Sequence, residues 1–249
     1  EVLTFSRLAD RVFAVVGGLA QQMLTPAGQL LTLQEAARRV QLGLTAWNGL
    51  ADKPELLGEA LSLIDECKTC MVSPDALFRA SEESELDEDA ALSAKLSDLA
   101  QLLTMYDSLC DESLPDPRDR LTRLRDGLAE SRVLDGAEVY LDGFLSYTPQ
   151  ELAIIEVMVS LNVPLTAAVT CDTELPDVFV TGCKTLRTLT RMAERHDRRP
   201  EIVNLGASRL SRPAGLAAVA EEALLPVRGT HEDASGVRLY EAASPFDEC

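Results

Sequence analysis

The chain has 249 residues, 46% of them hydrophobic, with 23 Lys and Arg against 41 Asp and Glu and a net charge of −18. That length and apolar content allow a full core, in one large α/β domain or two smaller ones, and exclude a disordered chain. The acidic balance argues against a stand-alone nucleic-acid binder, which needs clustered Lys and Arg, although a local basic groove or a larger assembly could supply positive surface. No apolar run approaches the roughly 18 residues needed to span a bilayer, and no signal peptide precedes the first element, so a cytoplasmic protein with no membrane segment is expected.

In chain order, Glu1–Phe5 reads as a strand, and Ser6 as the cap of a helix with Leu8, Val12 and Val15/Val16 on one face and a stop at Gly17-Gly18. Hydroxyls and free amides at such a strand-to-helix junction make a favourable phosphate site, and Arg7 and Arg11 could add charge; a plain helix cap is the simpler reading. Gln21–Leu31 reads as a connector, and Thr32-Leu-Gln-Glu35 as a capping box opening a helix that continues to about Trp47. Further helices are expected from Asp52 and Pro54, from Ser73-Pro74-Asp75 to about Ala80, along the stripe Leu92, Leu96, Leu99 and Leu103 to about Leu109, and from Asp116-Pro117. The acidic run 81–90 is either a magnesium cluster or, more ordinarily, a solvated linker or the first turn of the next helix. Residues 32–131 thus form a nearly all-helical insertion between strands.

The central stretch is Val139-Tyr-Leu-Asp-Gly-Phe-Leu-Ser-Tyr-Thr-Pro-Gln-Glu151. Ala137–Leu141 reads as a strand, Asp142-Gly143 ends it, and Thr148-Pro149 opens a helix running to about residue 161. An acid at the carboxyl end of a parallel strand is where nucleotide-hydrolysing enzymes hold magnesium. The glutamate that would position water is replaced by Gly143, so the pattern is an ATPase motif without its catalytic carboxylate. The alternative is an ordinary turn in which Asp142 caps backbone amides. A strand follows at Leu165–Cys171, apolar on both faces and ending in Asp172, then a helix from about Cys183 to His196. Lys184, Arg187, Arg191 and Arg195 recur along that helix, and with Arg198 and Arg199 they form a basic surface: a solvated face, a subunit contact or a phosphate-binding ridge. A strand at Glu201–Leu205, a helix at 213–224 and a strand at Val237–Tyr240 complete the chain.

The six cysteines (Cys67, Cys70, Cys110, Cys171, Cys183 and Cys249) are expected to be reduced thiols. Cys67-Lys-Thr-Cys70 has no second pair at zinc-ribbon spacing, and the two histidines, His196 and His231, do not complete a tetrahedral set, so no metal site is expected.

The ordered series of motifs resembles a superfamily 1 DNA helicase of the UvrD type, and within it the AddB (RexB) family, the second subunit of bacterial ATP-dependent helicase–nucleases. Glu1–Ala9 is similar to the motif Ia segment. Val139-Tyr-Leu-Asp-Gly-Phe144 with Thr148-Pro-Gln-Glu151 is similar to motif II in its AddB form, Asp-Gly-Phe where helicases read Asp-Glu-Phe. Val169–Asp172 is similar to motif III without its glutamine, the stretch around Arg209 and Arg212 is weakly similar to motif IV, and Val237–Ala243 is similar to the strand opening the second motor domain.

The resemblance implies an α/β fold: a parallel-sheet, P-loop-NTPase-like core (subdomain 1A) with a large all-helical insertion (1B). Residues 1–31 and 132–236 would form the core, 32–131 the insertion, and 237–249 the start of the next motor domain. Both ends read as cut, so the chain is expected to be a piece of a longer protein. It contains no G-x-x-x-x-G-K-[ST] loop, which would lie upstream. The family's nuclease motif and iron–sulfur cysteines would lie downstream, and none of the cysteines here is expected to take that role. No cofactor is therefore expected in this segment, with ATP, magnesium and an iron–sulfur cluster belonging to the parent. Asp142 stands at a degenerate magnesium-holding position, no residue is assigned a catalytic role, and Thr4, Ser6 and Arg7 are carried over as DNA-backbone contacts. The implied partners are an AddA/RexA-type subunit and single-stranded DNA, in double-strand break repair and recombination. The competing expectation is a protein–protein scaffold with no DNA contact, which the acidic charge favours.

Overall fold

The computed structural model describes residues 1–112, 114–173, 175–205, 213–222, 229–230, 232–238 and 241. Among them the fold is mostly helical, with one two-stranded parallel sheet that gives it α/β character. No helix among the described residues is long and apolar enough to cross a membrane.

Helix α1 spans Phe5–Val16, capped by Thr4 rather than Ser6, and ends at Gly17 with φ +96°. Phe5, Leu8, Ala9, Val12 and Phe13 make its buried face, whereas Val15 stays exposed. The strand expected ahead of it does not form: Thr4 is extended (φ −87°, ψ 165°), and Val2 is 92% exposed. Extended backbone becomes a strand only when a neighbour supplies the ladder hydrogen bonds, and none of the described residues does so here.

Helix α2 covers Pro26–Val40, so the expected connector 21–31 and the box at Thr32 are both corrected. Thr25 caps it, its hydroxyl accepting from Gly28 N at 3.1 Å, with Pro26 at the first helical position. Thr32 lies inside the helix. The chain turns away well before Trp47 because the buried Asp98 carboxylate gathers the amides of Thr45 and Trp47. Helices α3 (Pro54–Thr69) and α4 (Pro74–Leu86) follow. Ser73 caps α4 as expected, but the helix continues past Ala80 through the first half of the acidic run. A turn with Glu88 at φ +63° leads into α5 (Ala90–Glu112), where the Asp89 carboxylate accepts from Leu92 N. Most acidic side chains of residues 82–89 lie exposed, and no group of three or more metal-ligating residues occurs among the described residues.

Leu33, Ile64, Leu102 and Leu103 are fully buried where α2, α3 and α5 meet, each burial stabilising by roughly 1.5–3 kcal/mol. Asp116 then caps a 3-10 turn, Pro117–Asp119, that leads into α6 (Arg120–Ser131). Helix α6 packs on α1 in a second core: Leu124 and Leu128 join Val12 and Phe13, and Arg120 and Arg123 lie over the Phe13 ring at 5.4 and 5.1 Å.

Strand β1 (Val139–Leu141) pairs in parallel with β2 (Leu165–Ala167), Val139 opposite Leu165 and Leu141 opposite Ala167. Between them runs α7 (Pro149–Ser160), with the full Thr148–Glu151 capping box. β2 stops short of Cys171, and Tyr140 on β1 is 67% exposed, so the sheet is not buried on both faces as an interior strand would require. Helices α8 (Val180–Arg195) and α9 (Ala214–Glu222) follow as expected, but residues 201–205 form no strand and Ile202, Val203 and Leu205 are exposed. Arg209, Arg212, His231, Cys249 and residues 239–240 of the expected last strand lie outside the described residues.

Candidate nucleic-acid interface

The sequence places two candidate segments far apart, at residues 4–7 and at 142, and the fold joins them through aromatic rings. Phe5 meets the Phe144 ring edge-on at 5.7 Å, and Phe144 stacks on Tyr147 at 5.0 Å. The first turn of α1 is thereby fastened to the turn that leaves β1. These aromatics are the part of the site that residue-by-residue reading missed. Their signal was present in Thr4-Phe-Ser6 and Gly143-Phe144, each a large apolar ring set among hydroxyls and glycine at the end of an element.

On the α1 side, burial of Phe5, Leu8 and Ala9 turns Ser6 and Arg7 outward, and both are exposed. Thr4 is also exposed, but its hydroxyl accepts from Arg7 N at 3.3 Å, so its first task is to cap the helix. The neighbouring charges are paired within the protein: Arg11 with Glu1 at 2.5 Å, and Asp10 with Arg120 at 2.5 Å. Arg7 has no carboxylate partner among the described residues, which leaves a cation beside a helix N-terminus whose dipole also attracts anions.

On the β1 side, Asp142 is exposed and its Oδ1 accepts from Gly143 N at 2.9 Å. Gly143 has φ +79°, in the left-handed region that favours glycine, and a Cβ placed there would meet nothing within 4 Å. The carboxylate therefore performs the local amide-capping role that was the alternative reading of this position. Thr185 Oγ1 on α8 donates to Leu145 O at 3.2 Å, and Gln150 Nε2 donates to Arg118 O at 2.9 Å, so the turn is held from both sides. The Tyr147 hydroxyl is buried without a hydrogen-bond partner among the described residues, and burial, with the Glu151 carboxylate nearby, pushes its pKa above the ordinary range.

The expected basic surface lies on α8. Lys184, Arg187, Arg191 and Arg195 are all exposed, while Thr185 and Met192 face inward. Arg195 is paired with Glu156 at 3.0 Å, whereas Lys184, Arg187 and Arg191 have no carboxylate partner among the described residues. This ridge flanks the turn that Thr185 anchors.

These residues do not by themselves fit a nucleotide and its magnesium ion. One exposed carboxylate, already bonded to its neighbour's amide, offers one ligand where a bound metal needs several, and Gly143 cannot position water. What the arrangement offers is an edge with exposed hydroxyls, an arginine that has no carboxylate partner among the described residues and a nearby basic ridge, suited to a polyanion backbone.

The family described as ADDB, N-terminal matches residues 1–219. A protein of Symbiobacterium thermophilum, named as the B subunit of an ATP-dependent helicase/deoxyribonuclease, is 35% identical over 66% of this chain and 15% of its own length. Proteins of the same name from Alkaliphilus metalliredigens and Thermoanaerobacter sp. are 28% and 25% identical, over 82% and 100% of this chain but only 18% and 22% of their own lengths. The chain thus spans about a fifth of the relatives it matches, and it belongs to the ADDB N-terminal family.

Proposed function

We propose that the chain is part of the second subunit of an ATP-dependent DNA helicase–deoxyribonuclease acting in double-strand break repair and recombination. In this reading it is a UvrD-like motor fold without catalytic equipment, which handles single-stranded DNA and docks an AddA/RexA-type partner subunit. The observation that supports it is the Phe5–Phe144 ring contact at 5.7 Å, which joins the segment carrying Thr4, Ser6 and Arg7 to the turn that follows Asp142-Gly143. ATP and magnesium, and any iron–sulfur cluster, belong to other parts of the parent protein. The names of the relatives support the reading at the level of a helicase–deoxyribonuclease subunit.

The test is fluorescence anisotropy with labelled single-stranded DNA, across a salt series, using the full chain with and without its partner subunit. Affinity is expected to fall steeply with salt, and Arg7→Ala is expected to flatten the log–log slope by about 0.7, the value for one lost single-strand phosphate contact. Tight partner association with no DNA binding at any salt would instead favour a scaffold, the reading that the net charge of −18 supports. Magnesium-dependent ATP turnover by the purified chain, abolished by Asp142→Ala, would overturn the inactive-motor reading.

A further inference from the structure

After β2 the chain passes through Ala168–Cys171 and returns as α8, whose first turn packs straight back onto that exit. The approach is close enough that a Cβ on Gly182 would lie 1.9 Å from the Thr170 carbonyl oxygen, a position only glycine can occupy. The same approach sets Cys171 Sγ 2.9 Å from Cys183 Sγ. Both are free thiols; Cys171 is half-buried, and Cys183 is 5% exposed with its Sγ also donating to Asp172 O at 3.4 Å. The sulfurs are therefore about 0.9 Å short of the roughly 2.05 Å covalent bond, with backbone already in contact around them.

We propose that Cys171 and Cys183 form a covalent modification site, a dithiol that hydroperoxide-class oxidants convert to a disulfide tying the exit of β2 to the first turn of α8. Cys171 is the more accessible sulfur and reacts first. Cys171 loses its proton and its thiolate attacks the peroxide; an S–O bond forms, the O–O bond breaks, and the leaving hydroxide takes up that proton, giving sulfenic acid and one water (from hydrogen peroxide). The Cys183 sulfur then attacks that sulfur, the S–S bond forms, the S–O bond breaks, and the leaving hydroxide takes the Cys183 proton as a second water. Two thiols lose two electrons, and one peroxide gains them. The Cys183 thiol pushes the Cys171 thiol up to about 11, an effect the Arg187 guanidinium partly offsets. Because α8 anchors the 142–147 turn through Thr185, the bond would fix both the exit of β2 and the helix carrying the basic ridge.

The experiment treats the full chain with graded hydrogen peroxide, blocks the remaining thiols with N-ethylmaleimide, and digests with a protease that cuts before Asp172 and Asp177. Mass spectrometry should find the Cys171 and Cys183 peptides joined and lighter by two hydrogens, at doses where the exposed Cys70 is in no disulfide. Dithiothreitol should separate them, and Cys171→Ser, with an unchanged circular dichroism spectrum, should yield no linked pair. The proposal is overturned if both thiols remain alkylatable under peroxide that oxidises Cys70, or if Cys171 links mainly to another cysteine.

Discussion

Gly143 holds a backbone conformation as well as an empty side-chain position. At φ +79°, with open space where a Cβ would go, the turn accepts a larger residue sterically but strains it in the left-handed conformation. Gly143→Glu should therefore fold and lose about 1–2 kcal/mol, seen as a lowered denaturant midpoint. It should gain no magnesium-dependent ATPase activity, because one restored carboxylate does not make a phosphate cradle. Recovered turnover would contradict this account of the site. The same scale shows what the sequence could reveal about residues 4–7. Threonine and serine are comparable caps by chemistry, so the choice between Ser6 and Thr4 is one that packing decides: burying Phe5 requires the helix to begin there. The exposure of Ser6 and Arg7 follows from that choice, and the missing carboxylate beside Arg7 is visible only once Asp10 and Glu1 find other arginines.

Among elements, helix starts with local chemistry were legible. Ser73-Pro74, Asp116-Pro117 and Thr148-Pro149 each cap where expected, because hydroxyl or carboxylate acceptor and proline act within one turn. Thr25-Pro26 carries the same signature, and the Thr32–Glu35 pattern competes with it. Helix ends were less legible, because α2 is stopped by Asp98, more than fifty residues away, and α4 is prolonged by packing on α5, where Ser81 Oγ donates to Ser93 O at 2.8 Å. Strands were least legible: only β1 and β2 find ladder partners among the described residues, and the extended segments at 1–5 and 201–205 do not. The capping box of α7 makes a direct test of local chemistry. Thr148→Ala removes the acceptor for Glu151 N, at 3.2 Å, and should cost about 1 kcal/mol in urea unfolding, with Thr148→Ser recovering most of it. An unchanged midpoint would mean that packing alone holds the helix start.

At the scale of the whole molecule, two apolar cores meet across a polar seam that no sequence pattern announced. Lys68 on α3 pairs with Asp107 at 2.6 Å and Asp119 at 2.9 Å; Arg118 pairs with Asp65 at 2.7 Å; and Gln29 donates to the fully buried Asp116 at 3.0 Å. The seam makes the fold sensitive to alkali. Burial, with Asp116 adding to it, pushes the Cys110 thiol from 9.0 up to about 12, and burial with Asp116 raises the Tyr106 hydroxyl as well. Burial lowers Lys68, but Asp107 and Asp119 outweigh it and hold the ammonium above its ordinary range. All three groups keep their protons longer when folded than when unfolded, so the unfolded chain releases them first. Their stabilisation is complete below about pH 9 and is lost as pH rises beyond it, at up to about 1.4 kcal/mol per pH unit for each group. Urea unfolding should be level from about pH 7 to 8.5 and fall steadily above about 9; stability unchanged to about pH 11 would refute the seam's role.

The proposed DNA contact runs along the edge where α1 meets the turn after β1. Hydrogen–deuterium exchange of the full chain, with its partner subunit and with or without single-stranded DNA, locates that contact directly. Slowed exchange is expected in residues 5–9 and 142–147 on adding DNA, with α2 and α3 unchanged, and weaker protection of residues 5–9 in Arg7→Ala. DNA bound at saturation with no change in either segment would contradict it.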